Sequence, residues 1–468
     1  MFTLLLICLI RALRFKPAPS APVSQEPVEF DRQKAVSALR EMVTVRTVSY
    51  TDTSKEDEAE FSRFSDVIAK LFPLVHKRLT LERVPPKGLL YKWAGRSSVS
   101  PTVLMAHYDV VPASDSEWSR PPFGGVIEGE TLWGRGTLDT KGTLNGILQA
   151  AERLLEEGFV PANDIYFSFA GDEETQGEST PNIVKLLSER GIKPALVADE
   201  GGAVVENVFP GVKKRIAVVG TAEKGVTNIR FSTCSGGGHA SAPPAHTPVG
   251  ILSAACVKVE NDPFPMVLTP TVRKMFDTLG RHSTFLYRLI FANLWLFKPV
   301  LNMIGKKSGG EMNALMRTTT AFTTAKGSDA YNVIPTSAEM TANVRIISGE
   351  TRDGVVKRLT DTLADDRVKI EYFGGAEPSR VSVTDGEEYQ KLVSVINEVF
   401  PDAVVTPYLM IACSDSRHYG AISDKVYRFS AMAMSNEERK LVHGVDERIT
   451  FRGIFEAVEF YLRLIKRC

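Results

Sequence analysis

Ile165-Tyr166-Phe167-Ser168-Phe169-Ala170-Gly171-Asp172-Glu173-Glu174 runs from an apolar stretch straight into three consecutive acids. A short apolar run closed by glycine reads as a buried strand. Working outward, Gly88 to Trp93, Thr102 to His107 and Leu196 to Asp199 are further short apolar strands. Helical spacing separates them at Gly142 to Glu157 and Thr180 to Glu189, and precedes them at Arg32 to Val43 and Ala59 to Leu71. Strands alternating with helices predict an α/β layered domain with a largely parallel sheet.

From Gly220 the texture changes. Val226 to Thr233 alternates like a half-exposed strand, the Gly-rich stretch Ser235 to His239 follows, and Val249 to Val259 is helical. Strands at Glu339 to Ile346 and Val368 to Phe373 flank a helix at Thr351 to Leu363. This order predicts a small α+β domain inserted into the first. The expected division is 1–29 as an apolar segment and linker, 30–219 and 375–468 as one domain, and 220–374 as the insert. Within the insert, Met266 to Lys306 is unusually apolar but interrupted by Arg288 and Lys298. It reads as helices packing inside the inserted domain, the alternative being an apolar wall for a large hydrophobic ligand.

At 468 residues the chain is long for one core and comfortable for two domains. Its 56 basic residues balance 56 acidic ones, so no net field draws it to nucleic acid or an anionic membrane, and any electrostatic role must come from local clusters. The five cysteines are scattered and odd in number, which argues against a disulfide framework and against thiolate metal sites. Phe2 to Ile10 is apolar, with Arg11, Arg14 and Lys16 behind it. That run is shorter than the roughly 20 residues that span a bilayer. A clipped anchor, an interfacial anchor giving weak membrane association through residues 2–16, and a weak signal peptide all stay open. If it anchors, the basic residues favour a cytoplasmic body; a signal peptide would make the chain secreted.

The residues that carry chemistry sit where strands give way to loops, the place where open α/β sheets bind ligands. They are His107-Tyr108-Asp109, Gly134-Arg135-Gly136 through Asp139-Thr140-Lys141-Gly142, Gly171-Asp172-Glu173-Glu174, Asp199-Glu200-Gly201-Gly202, and His443-Gly444-Val445-Asp446-Glu447-Arg448. Each alone has a plain reading. His107 and Asp109 would be a surface pair, Asp139 a helix cap, and the acid run a solvated loop. Together, oxygen-rich clusters with two imidazoles suit a pair of borderline divalent cations. Glu173 and Glu174 would then divide two tasks, one binding metal and one taking a proton from water.

This constellation resembles the M20 family of zinc peptidases and aminoacylases, within the dinuclear aminopeptidase-like fold. The carrying residues are the five clusters above together with Gly237-Gly238-His239-Ala240-Ser241. The stretches Ser414 to Tyr419, Val426 to Phe429 and His443 to Ile449 look most like the carboxypeptidase S branch, which includes Gly-X carboxypeptidases and N-acyl-amino-acid hydrolases. The resemblance implies a catalytic domain with an inserted lid or dimerisation domain, and two divalent ions, most simply zinc. The implied activity cuts a dipeptide or N-acyl amino acid beside a free carboxylate, with synthesis by the same site as its reverse.

By that resemblance His107 and Asp199 hold one ion, Glu174 and His443 the other, and Asp139 bridges them. Glu173 is the general base, Asp109 the partner of His107, and His239 a stabiliser of the scissile carbonyl, in one chain or across a homodimer. Asn332 and Arg345 match positions that hold substrate. The choice of Asp199 over Glu200 comes from the resemblance alone. One departure is Ala412-Cys413, where relatives usually carry a Gly-Gly-Thr type of loop; larger side chains there would alter specificity. A non-catalytic binding protein on the same fold would be free to lose the metal and base positions, and all of them are present.

Overall fold

A computed structural model describes residues 2–18 and 26–468; part of the Pro/Ala/Ser-rich stretch lies outside the described residues. Its larger sheet has ten strands. Nine follow one path: Thr80–Val84, Gly88–Trp93, Asn163–Ala170, Ser97–His107, Leu196–Asp199, Val426–Arg428, Ile216–Glu223, Val204–Val205 and Ala433–Met434. The tenth, Val404–Met410, pairs with Ile216–Glu223. The central strands from Asn163–Ala170 to Val426–Arg428 run parallel, as expected. Antiparallel pairs at Gly88–Trp93 and Thr80–Val84, and again at Val204–Val205, make the whole sheet mixed.

Alternation along the central strands explains why both faces are covered. Leu104, Ala106, Ile165, Phe167 and Phe169 point into one core, and Val103, Met105 and Tyr166 into another on the opposite face. Successive side chains on a strand face opposite ways, so a strand buried on both sides reads as a continuous apolar run. Helices Lys141–Glu156 and Phe451–Ile465 cover the first face. They approach closely at Gly146, where an added Cβ would lie 3.2 Å from that of Ala457. Helix Ser179–Glu189 covers the second, through Ile183, Val184 and Leu187.

The smaller sheet is antiparallel, in the order Thr319–Lys326, Ser337–Ile346, Gly225–Cys234, Lys369–Ala376. Helices Pro248–Asn261 and Arg352–Leu363 share its core through Leu252, Val259, Val355 and Leu359.

The apolar segment expected to pack inside the insert does not pack there. It forms helices Pro270–His282, Phe285–Ala292 and Leu294–Ser308. Their buried residues Met275, Phe276, Leu279 and Phe291 share a core with Val205, Ile216 and Leu409 of the larger sheet. The outer strands of that sheet would otherwise leave an apolar face in water, and covering it is the stronger driving force. The N-terminal run is a helix, Phe2–Arg14, that touches the body through Cys8 and Ala12. Among the described residues no helix is long and apolar enough to cross a membrane.

Candidate metal centre

Loops at the carboxyl ends of the parallel strands bring the chemistry together. His107 ends one strand, Glu173 and Glu174 form a tight turn just past Ala170, and Glu200 follows Asp199. Asp139 stands two residues before the helix that starts at Lys141, and its peptide bond to Thr140 is cis. His443 arrives from the far end of the chain in a left-handed conformation, φ 59°. That backbone is uncommon for a residue with a side chain and persists where surroundings impose it, often at working sites.

The distances define two overlapping groups. His107 Nε2 lies 3.0 Å from Asp139 Oδ1 and 3.2 Å from Glu200 Oε1. His443 Nε2 lies 3.0 Å from Asp139 Oδ2 and 3.0 Å from Glu174 Oε2. Asp139 therefore offers one oxygen to each imidazole. Ligand atoms of His107, Glu173 and Glu200, and again of His107, Asp139 and Glu174, lie within 4.8 Å of one another. His107 is buried, whereas His443 is half exposed at the mouth.

Behind these atoms is a second set of contacts. Asp109, fully buried, accepts the backbone N–H groups of Glu173 at 3.2 Å and Glu174 at 3.1 Å, and the hydroxyl of Ser49 at 2.7 Å. His107 Nδ1 stands 3.0 Å from the Asp109 carbonyl and 3.3 Å from its carboxylate. One residue thus sets both the imidazole and the acid pair, as outer partners of metal ligands do. Glu447 plays the same part for Asp139: it accepts the N–H groups of Leu138 at 2.7 Å and Asp139 at 3.3 Å while paired with buried Arg135. Arg135 also donates to the carbonyl of His443 at 3.4 Å. Lys141 is buried, donating to the carbonyls of Met42 and Val45, and burial pushes its ammonium down to about 7.

Four expected placements change. Glu200, not Asp199, faces His107. Asp199 is the last residue of its strand and points the other way, accepting Ser416 N–H at 3.2 Å. Adjacent residues at a strand end face opposite sides, so only one of the two acids reaches the centre. His239 and Asn332 do not join it either. Both are exposed, His239 in a separate two-stranded pair of Gly238–His239 with Val333–Ile334 and Asn332 just before its second strand, tied by the Ala240 N–H to Asn332 carbonyl bond, with His239 Nδ1 2.7 Å from the Ser241 hydroxyl. They lie on an inserted unit whose position relative to the centre no local sequence signal sets. Arg345 donates to Asn343 of its own strand at 3.0 Å and turns toward the loop after Val404–Met410, where it donates to Cys413 Sγ at 3.5 Å. Cys413 also donates to the Lys224 carbonyl, so its thiol faces the junction between the sheets rather than the imidazoles.

Residues that the sequence reading left without a role cluster beneath Asp199. Glu223 is fully buried and ion-paired with Arg428 and Arg417, and accepts from Ser414. Burial alone would raise its carboxyl, but the two guanidinium groups outweigh that and hold it low. No spacing in the chain announces a pair formed by residues 205 positions apart.

The electrostatics of the centre favour cations. Burial, then the charge of Asp139, pushes Glu200 up to about 7. Burial and the charges of Asp415, Glu200 and Glu174 raise Glu173 well above the carboxylate range despite His107. Burial also raises Glu174, against the pull of His443. Bonds from Asp139 and Glu174 lift His443 to about 10. Four carboxylates around two imidazoles hold more negative charge than the protein compensates, and buried charges of that kind pair or coordinate metal. The donor set fits divalent ions.

Fold and centre together define a hydrolase built on strand-end carboxylates and imidazoles. The chain belongs to peptidase family M20/M25/M40, whose family model matches residues 103–467. It is 38% identical to the probable carboxypeptidase S-like 2 of Dictyostelium discoideum, over 92% of this chain and 84% of that protein. It is 34% identical to the human N-fatty-acyl-amino acid synthase/hydrolase PM20D1, over 95% of this chain and 90% of that one. In structure it is similar to the M20 family metallo-carboxypeptidase Sso-CP2 from Sulfolobus solfataricus, with a TM-score of 0.67 at 17% identity, covering 92% of this chain and 98% of that one. The protein is therefore an enzyme, a hydrolase of the M20 type, as its sequence motifs indicated.

Proposed function

We propose that the chain hydrolyses the amide bond of a dipeptide or N-acyl amino acid beside a free carboxylate, using two divalent cations. The observation that carries this reading is the two-sided placement of Asp139, one oxygen 3.0 Å from each imidazole nitrogen. His107, Asp139 and Glu200 would hold one ion, and Asp139, Glu174 and His443 the other. Imidazole and carboxylate donors suit zinc. Bound there, the ions would supply Lewis acidity, polarising the amide carbonyl and making a water easier to deprotonate.

The chain's own part is proton handling and positioning. Glu173 lies beside His107 and Glu200 but bonds neither imidazole; with cations bound to offset the neighbouring acids that raise it, its carboxylate would be free to take a proton from water and return it to the departing amine. Asp109 fixes where that carboxylate stands. Arg345 has the planar fork that suits a substrate carboxylate, and it already lies against the loop at Cys413. His239 and Asn332 would reach substrate on closure of the smaller unit or from a second copy. The exposed edge strand Lys369–Ala376, with Tyr372 and Phe373 outward, offers a homodimer a place to form. We keep the division into residues 30–219 with 375–468 and the insert 220–374, although strand Ile216–Glu223 of the larger sheet runs past its first boundary.

One observation favours a fatty N-acyl group over a short one. A largely apolar cavity lined by Gly201, Val205, Met275, Leu279, Leu315 and Met434, with Glu311 and Arg439 also in its wall, includes the residue that follows Glu200 in the chain. A release assay over N-fatty-acyl, N-acetyl and Gly-X substrates, with and without chelator, tests both parts. Turnover that chelator abolishes, strongest with long acyl chains, is expected. Turnover unaffected by chelator contradicts the metal reading, and a preference for Gly-X substrates contradicts the acyl reading.

A further inference from the structure

Helix Phe2–Arg14 leaves nearly all of its apolar side chains in solvent; only Cys8 and Ala12 are buried. It lies on helix Phe285–Ala292 and is tied there from both sides. Arg11 donates to the Ala292 carbonyl at 3.0 Å, and Asn293 Nδ2 donates to the Cys8 carbonyl at 3.1 Å. Phe285–Ala292 and the next helix, Leu294–Ser308, are themselves apolar on the outside: Leu286 is 66% exposed, Trp295 57% and Met303 63%. Two stretches some 270 residues apart in the chain thus form one apolar surface. Scattered exposed apolar residues need no explanation, but a contiguous set on packed helices marks an interaction surface.

The charges around it choose the occupant. Residues 1–25 and 278–310 contain no acidic residue, although the chain as a whole is neutral. The same stretches hold Arg11, Arg14, Lys16, Arg281, Arg288, Lys298, Lys306 and Lys307. Arg14, Lys16, Lys298, Lys306 and Lys307 are exposed. Exposed Tyr287 and Trp295 add rings of the kind that settle at the level of lipid headgroups. Apolar side chains, interfacial aromatics and an all-basic rim are the composition of a surface that lies in a membrane interface. A second copy of the chain would bring the same basic rim against itself.

We propose that helices Phe2–Arg14, Phe285–Ala292 and Leu294–Ser308 together dock the enzyme on an anionic lipid bilayer, lying in its surface without crossing it. The docked face is linked to the metal centre. Leu294–Ser308 leads into Glu311, which pairs with Arg439 at 3.3 Å, four residues before His443. Docking would present the centre to substrates that partition into lipid.

The test is flotation of the full chain with phosphatidylcholine vesicles and with vesicles containing about one third phosphatidylglycerol. Hydrolysis of a short soluble substrate serves as the folding control. The chain should float with the anionic vesicles, lose most of that binding at high salt, and stay behind with neutral ones. Leu286→Glu combined with Trp295→Glu should lower binding at least tenfold while soluble-substrate turnover stays unchanged. Lys306→Glu with Lys307→Glu, a milder change, should weaken binding to anionic vesicles alone. Trp295 emission should shift to the blue when anionic vesicles are added. The proposal is overturned if the chain fails to float with either vesicle, or if the Leu286/Trp295 variant floats as well as the parent. It is equally overturned if sedimentation shows a dimer that this variant breaks without any vesicle binding in the parent.

Discussion

Arg135 donates to Glu447 across 2.7 Å, both side chains buried, and the pair joins the loop that carries Asp139 to the loop that carries His443. Residues 312 positions apart in sequence are held together at the point where two groups of candidate metal-ligand atoms meet. Breaking such a pair from one side strands the other charge in the interior, which costs about 3–5 kcal/mol. Glu447→Ala should therefore lower unfolding free energy by about that amount, read from urea denaturation. A loss under about 1 kcal/mol would mean that the pair is open to solvent.

The acids at 199 and 200 should separate cleanly by metal titration. Glu200 stands 3.2 Å from His107 Nε2, whereas Asp199 accepts from Ser416 on the other side of the strand end. Glu200→Ala should bind one ion tightly and lose the second, as isothermal titration of the dialysed variant would show. Asp199→Asn should keep both ions. The reverse pattern would return the ligand role to Asp199.

In the proposed centre protons and cations would compete for the same nitrogens. His443 is lifted to about 10 by Asp139 and Glu174, and His107 is raised as well, though burial opposes it. His443 is protonated at pH 7 before a cation enters, and metal ligation requires the imidazoles neutral. Loading the metal-free chain at pH 7 should release protons, and affinity should fall as pH falls below 10. Titration in two buffers of different ionisation enthalpy measures the release. No proton release would place the cations away from these imidazoles.

Glu173 is the carboxylate that the imidazoles leave free. Glu173→Gln keeps its shape and removes its ability to accept a proton, so kcat should drop at least about 10²-fold with metal content unchanged. Turnover near that of the parent would move the proton acceptor elsewhere.

The parts visible in the sequence were those fixed by local chemistry. Ile165 to Ala170 is apolar because the strand is buried on both faces, and Asp172-Glu173-Glu174 can follow it only where charge is tolerated. His107, Asp139 and Glu174 stood out because each follows an apolar strand or precedes a helix, whereas their ligand roles, and that of His443, came from the family resemblance. Glu200 was hidden by a one-residue ambiguity at a strand end, where composition does not say which acid faces the centre. Glu447 and Glu223 were hidden for another reason: their partners are far away in the chain, and long-range ion pairs leave no periodic trace. Helices Pro270–His282 and Phe285–Ala292 had an evident apolar character, but the surface that they cover belongs to strands both before and after them.

Elemental analysis of the dialysed full chain tests the central claim most directly. Two divalent ions per chain are expected, falling to one or none in His443→Ala. A metal content near zero in active protein would contradict the account.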